Sequence, residues 1–253
     1  MICANFKKKY GPSTGDILQA LVKMETEISA LENSDSHLAT LQADLDKKEK
    51  DLIKRAKDMH KRRSQGSTLL IDSVNKELED LNMKGVRFHV DVHEATELGS
   101  TGNSDVEFQS QTSPKDPPRA LSKFASGGEL SRILLSLKRV VGASKWPRTY
   151  LFDEVDNGVS GPTAEKVGRK LKSIASGQQV ICVTHLPQVA AFGDQHFFIQ
   201  KGQGRDSASM EVSPLLKKER IEEIARLISG EKITKTSLAH AQELLRSTLN
   251  SNS

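Results

Sequence analysis

The chain is poor in the residues that fix small secreted folds. It has only two cysteines, Cys3 and Cys182, and aromatic residues make up 4% of its 253 positions. Two cysteines far apart in sequence exclude a disulfide scaffold, and Cys182 within the apolar run Val180-Ile181-Cys182-Val183 reads as a core residue. No apolar run approaches the length of a membrane span, about 18 residues. The start, Met1-Ile2-Cys3-Ala4-Asn5-Phe6-Lys7, lacks a signal-peptide layout. A cytoplasmic location is therefore expected. One further absence matters for chemistry: no Gly-x-x-x-x-Gly-Lys-[Ser/Thr] phosphate loop occurs anywhere in the sequence.

Charge is plentiful. Charged residues make up 28% of the chain and leave a net charge of +4. That mild excess permits nucleic-acid contact without requiring it. Few aromatics with many charges is the composition that a long exposed helix contributes. Such a helix is visible. Ile17, Leu21, Met24, Ile28 and Leu31 follow one another in steps of 4, 3, 4 and 3, a heptad seam. The pattern resumes at Leu38, Leu41 and Leu45, then Leu52, Ala56 and Met59. Asn33-Ser34-Asp35-Ser36 marks a place where the helix is expected to break or stutter. From Ile17 to Met59 the helix would run about 64 Å at about 1.5 Å per residue. A single strand of a coiled coil requires a partner, so this segment reads as a coiled-coil arm; the plainer alternative is an amphipathic helix lying on the chain's own core. Lys47-Lys48, Lys50, Lys54-Arg55, Lys57 and Lys61-Arg62-Arg63 make it locally basic, a candidate DNA-phosphate contact or a solvated face balanced by acids.

A second helix is expected over 67–83, stopped by Gly85. Val86, Phe88, Val90 and Val92 then alternate with polar residues, the mark of a half-buried strand, and Val106-Glu107-Phe108 reads as another. Beyond the proline-rich loop at 114–118, helix 129–141, strand 149–152, helix 162–175, strand 179–183, a short helix after Leu186 and strand 196–200 alternate. Helices at 217–228 and 235–248 close the chain. Strands alternating with helices imply an α/β fold with a partly parallel sheet. We divide the chain into an arm, 1–83, and an α/β lobe, 84–253.

Three features of the lobe bear chemistry. Ser126-Gly127-Gly128-Glu129 is a glycine turn opening onto a helix, whose free N–H groups and positive dipole end suit a phosphate. Leu151-Phe152-Asp153-Glu154 is an apolar strand ending in two carboxylates. At that edge of an α/β sheet Asp153 can hold Mg²⁺, directly or through water, and Glu154 can orient or deprotonate a water. Val183-Thr184-His185 ends the next strand with a histidine able to meet a γ-phosphate. Between them Asp156-Asn157-Gly158-Val159-Ser160-Gly161-Pro162 forms a polar loop before a helix with proline at its start.

In this order the segments resemble the C-terminal lobe of ABC-type ATPase heads. Residues 126–129 are similar to the signature motif and 151–154 to Walker B with its catalytic glutamate. Asn157, Gly158, Ser160 and Gly161 fall in the D-loop, and His185 matches the switch histidine. Ala125–Arg132, Phe152–Asp156, Val183–Ala190 and His196-Phe197-Phe198 are similar in wording to the RecN family of SMC-like DNA repair ATPases, from about Lys8 onward. That resemblance implies a head completed by an N-terminal half bearing the phosphate loop, paired with a second head as a homodimer. It also implies ATP and Mg²⁺ as cofactors, DNA as a partner and residence near the nucleoid, away from membranes. Glu154 and His185 would be catalytic and Asp153 the metal ligand. Ser126, Gly127, Gly128 and Glu129 would contact the nucleotide of the opposite head. Without the phosphate loop, this chain alone is expected not to turn over ATP. The competing reading is a non-catalytic interaction or dimerisation module; a transporter ATPase stands further off, because it has no heptad arm entering the lobe.

Overall fold

The computed structural model describes residues 2–113, 115–123, 127–201 and 210–250. The chain is α/β, and it divides into two compact units: residues 1–62 with 94–104, and residues 63–93 with 105–253.

A short helix, α1 (Ile2–Tyr10), precedes α2 (Thr14–Asp80). Ser13 starts α2: its hydroxyl accepts the Asp16 N–H at 3.1 Å while the Asp16 carboxylate accepts the Ser13 N–H at 2.9 Å. This reciprocal cap satisfies donors that a helix start leaves open. The expected break at residues 33–36 and the separate start at 67 are absent, since α2 is one continuous helix. Ser36 and Thr40 return their hydroxyls to the carbonyls of Asn33 and Ser36, so these side chains bond along the helix instead of diverting it. The seam residues Leu21, Ile28, Leu31, Leu38, Leu41, Leu45 and Leu52 are all exposed. Within the first unit Ala56 is buried and His60 Nδ1 lies 3.0 Å from Ser104 Oγ.

The helix stop also differs from expectation. Asn82, not Gly85, takes the left-handed conformation, at φ 60°. The Met83 N–H reaches back to the Leu78 carbonyl and the Asn82 N–H to Glu79, both at 3.0 Å. This is a Schellman ending, and Leu78 and Met83 bury the apolar contact that accompanies one. Strands β1 (Arg87–Gly99) and β2 (Gly102–Gln111) follow, and β3 (Arg119–Ala120) pairs antiparallel with β2.

The rest of the lobe carries the site. Helix α3 (Gly127–Val141) leads to β4 (Thr149–Phe152), α4 (Gly161–Ile174), β5 (Gln179–Cys182) and the single turn α5 (Pro187–Ala190). β4 and β5 pair in parallel, Thr149 with Gln179 through Phe152 with Cys182. β6 (Phe197–Lys201) and β7 (Met210–Pro214) form an antiparallel pair, and β7 has no counterpart among the expected strands. Helices α6 (Lys217–Ser229) and α7 (Lys235–Asn250) pack around Ile224, Ala225 and Ala241.

One core joins Val74, Leu78 and Leu81 of the α2 end to Phe88, Ile133, Leu135, Phe152, Val155, Val167 and Leu171. Charges reinforce it. Lys170 of α4, 8% exposed, bonds Glu77 at 2.5 Å and Asp80 at 2.7 Å, and Arg139 of α3 reaches the same Glu77 oxygen at 3.2 Å. A lysine this buried requires paired carboxylates.

Candidate functional site

The site assembles where β4 and β5 end side by side. The Val183 N–H continues the ladder to the Phe152 carbonyl at 3.0 Å, so Asp153 and Thr184 leave the sheet next to each other. Asp153 and Glu154 are both exposed. Glu154 holds φ 56°, a conformation rare for a residue with a side chain. Its carbonyl accepts the Asn157 N–H at 3.0 Å, which folds the following loop back over the strand end.

The glycine turn lies against this edge. A methyl group on Gly127 would collide with Glu154 Oε2, and one on Gly128 would sit 3.0 Å from the Glu154 carbonyl and from Asn157 Cβ. At Gly127 the Glu154 side chain could swing aside, whereas at Gly128 the close neighbour is the Glu154 backbone, so glycine favours the close approach there. Ser126 lies outside the described residues. From α3, the Ser131 hydroxyl donates to the Asp153 carbonyl at 2.8 Å, and Arg132 Nη1 donates to the carbonyls of Asn157 at 2.6 Å and Val155 at 3.3 Å. Burial pulls the Arg132 guanidinium below its ordinary value, opposed by Glu129 and Asp156.

Asp156 fastens the remaining segment. It is 2% exposed. Its Oδ2 accepts the Thr184 hydroxyl and, at 3.3 Å, the His185 N–H. His185 itself points outward, 75% exposed, with Nδ1 3.7 Å from the same oxygen. Behind the edge, burial pushes the Cys182 thiol up to about 12, with Asp156 and Asp153 adding to the effect. Cys182 is half-buried against the core, where the sequence reading places it fully inside. Ser160 precedes α4 in an extended conformation, Pro162 sits in the first turn, and Gly158 and Gly161 hold positive φ.

The contacts bring Gly127 and Gly128 against Glu154 and Asn157, with Asp153 after β4 and His185 after β5; Glu129, Gly158, Ser160 and Gly161 lie on the segments that continue from these residues. Sequence reasoning missed the residues that tie them together, Ser131, Arg132, Asp156 and Thr184. Their signal was placement alone: Ser131 and Arg132 lie two and three positions past Glu129, and Asp156 and Thr184 lie inside the quoted segments. Among the described residues no group of three or more His, Cys, Asp or Glu could hold a metal ion. Asp153 and Glu154 fit Mg²⁺ only in the way that ion usually binds, through one or two carboxylates with phosphate and water completing the shell.

One face of the β4–β5 pair is bare. Leu151 is 68% exposed, and its partner Ile181 and the following Val183 are about half exposed on the same face. On the β6–β7 pair, Phe197, Ile199, Met210 and Val212 are likewise exposed. Parallel strands are normally covered on both faces, and a two-stranded sheet is marginal alone.

Comparison with known proteins finds a distant structural likeness and, separately, relatives in sequence. Helices and strands of this kind recur in the Smc head domain with coiled coil and joint from Pyrococcus yayanosii, at 16% identity, covering 85% of this chain and 37% of that one with a TM-score of 0.47. No protein-family model matches the chain. In sequence it is RecN-like along nearly all its length. It is 37% identical to the DNA repair protein RecN of Bacillus subtilis over 95% of this chain and 44% of that protein. The RecN of Treponema pallidum is 32% identical over 95% of this chain and 43% of its own. The chain thus spans under half the length of the curated relatives it matches.

Proposed function

We propose that this chain supplies the C-terminal lobe of a RecN-like ATPase head acting in recombinational repair of DNA double-strand breaks. The observation that supports the reading is the combination at β4–β5: the glycine pair of α3, the carboxylates after β4 and the Thr184-His185 end of β5 held together, beside an apolar face with no cover among the described residues. A lobe built this way is half of a site. A second polypeptide segment bearing the phosphate loop covers Leu151, Ile181 and Val183 and completes the cradle for the β- and γ-phosphates.

In the completed head Asp153 would hold Mg²⁺, an ion whose charge would offset that developing on the transferred phosphoryl group. Glu154, exposed and held at its unusual φ, accepts a proton from the attacking water. His185 stands ready for the γ-phosphate. Gly127, Gly128 and Glu129, with Ser126, meet the nucleotide of a second head, so that ATP joins two heads and hydrolysis parts them. The exposed heptad seam of α2 pairs with a second helix of the same periodicity. Its basic stretch, where Lys47, Lys48, Lys50, Lys54 and Lys57 are exposed, contacts DNA phosphates. A protein of this kind works in the cytoplasm on the nucleoid. Among the described residues no helix is long and apolar enough to cross a membrane. The second reading, an interaction module without turnover, rests on the lack of a phosphate loop within these 253 residues.

The deciding experiment combines this chain with an N-terminal segment carrying a phosphate loop, such as that of the Bacillus subtilis relative. Magnesium-dependent ATP hydrolysis should appear in the mixture and be absent from this chain alone. Glu154→Gln should keep ATP binding, slow hydrolysis and accumulate ATP-bound dimers seen by light scattering. Robust turnover by this chain alone, or turnover in the mixture indifferent to Glu154→Gln, would refute the assignment.

A further inference from the structure

A cavity of about 530 Å³ opens among α4, the turn after α5, α6 and α7, lined by none of the candidate nucleotide-site residues. Four cations line it, Lys172, Lys217, Arg220 and Arg246, against one acid, Asp194. Asp194 is taken by Lys172. Arg220 is half committed: one nitrogen donates to the carbonyls of Ala191 at 3.0 Å and Gly193 at 2.6 Å, while its buried Nε has no hydrogen-bond partner among the described residues. Lys217 and Arg246 have no ion pair among the described residues. Lys217 is also the first residue of α6, the positive end of the helix dipole, where a cation works against helix stability.

A cleft whose lining carries an excess of one charge concentrates the opposite ion. The remaining lining says what kind. Phe192, Ile221 and Leu245 give an apolar wall, which bare phosphate or sulfate would leave wet. The volume falls within the range of small-molecule sites, about 300–1,000 Å³.

We infer that this cavity binds a small organic phosphate with a flat apolar body, the phosphate held by Lys217, Arg220 and Arg246 and the body laid on Phe192, Ile221 and Leu245. It stands apart from the nucleotide site proposed above and does not depend on that proposal.

The test is isothermal titration calorimetry on the intact chain in low salt with magnesium chelated. The probes are thymidine 5′-monophosphate and naphthyl phosphate, neither of which has a γ-phosphate for the head site. Saturable binding at one site is expected. The double variant Lys217→Gln/Arg246→Gln changes two exposed side chains, so its melting temperature should hold while affinity drops about tenfold or more. Thymidine and inorganic phosphate should each bind at least about tenfold more weakly than the joined molecule. Three results would overturn the inference: no saturable binding of either probe, binding unchanged in the double variant, or inorganic phosphate binding as well as both probes. An unphosphorylated oligonucleotide displacing the probes as effectively as either probe competes would overturn it too, because it would reveal general polyanion attraction.

Discussion

Asp156 offers the sharpest quantitative check on how the site is held. Its buried Oδ2 receives the Thr184 hydroxyl and the His185 N–H, and Thr184 Oγ1 in turn accepts the Leu186 N–H at 3.1 Å. Hydrogen bonds to a charged group contribute about 1.5–3 kcal/mol each, and a buried donor left without a partner costs about 1–3 kcal/mol. Asp156→Ala removes one acceptor from two donors, so a loss of about 3–4 kcal/mol is expected. At about 2–4 °C per kcal/mol for a chain of this size, the melting temperature should fall by about 10 °C. Asp156→Asn preserves shape and one acceptor at reduced strength, and should cost about 1–2 kcal/mol. Thr184→Val should be less than additive with Asp156→Ala, by about 1 kcal/mol or more, since the double variant leaves no stranded hydroxyl. Thermal melting followed by circular dichroism reads all four. If Asp156→Ala melts within about a degree of the parent, or the two substitutions add without coupling, Asp156 is not the clasp between the loop after β4 and the segment after β5.

Two further outcomes follow from the charges. Lys170 and, secondarily, Lys166 hold the Asp80 carboxyl below the ordinary carboxylate range. A carboxylate whose folded value is depressed contributes stability above its unfolded value and loses it as pH falls through the folded one. The melting temperature should therefore drop in the acid range, and Lys170→Met should flatten that drop while lowering neutral-pH stability by about 2 kcal/mol, a figure discounted for the partial exposure of Asp80. An unchanged acid profile in Lys170→Met would contradict this. The basic stretch of α2 should bind duplex DNA with affinity falling steeply and log-linearly in salt, and Lys47→Gln/Lys50→Gln/Lys54→Gln should lower that slope by about 2–3. A flat salt response would remove the DNA contact.

Much of the lobe could be read directly from residue order. Helix α3, β4, α4, β5 and the two final helices lie within a residue or two of expectation, because each pairs a clear period with a terminator. Glycine was over-weighted at the end of α2: Gly85 looked like the stop, yet Asn82 supplies the left-handed residue, helped by the burial of Leu78 and Met83. Polar clustering was over-weighted at 33–36, where serine and threonine hydroxyls bond within the helix. In α3 Leu134 and Val141 are exposed while Arg132 is buried beside Ile133 and Leu135. Ser131 and Arg132 donate to carbonyls of the residues that follow β4. Periodicity alone does not reveal that. Asp156 and Thr184 were legible only as loop polarity; their pairing depends on β4 and β5 ending side by side. β7 escaped because Met210 and Val212 are its only apolar residues before Pro214.

The central claim is that the bare face of β4–β5 is a seat for a separate segment carrying the phosphate loop. It is most directly tested by measuring association of this chain with that N-terminal segment, comparing the parent with Leu151→Asp/Ile181→Asp. Burying these two side chains contributes about 1.5–3 kcal/mol each, and a carboxylate in their place adds a desolvation cost. The account predicts tight association for the parent and at least about a hundredfold weaker association for the variant, with the isolated variant melting at the parent temperature. Equal affinity for both would contradict it.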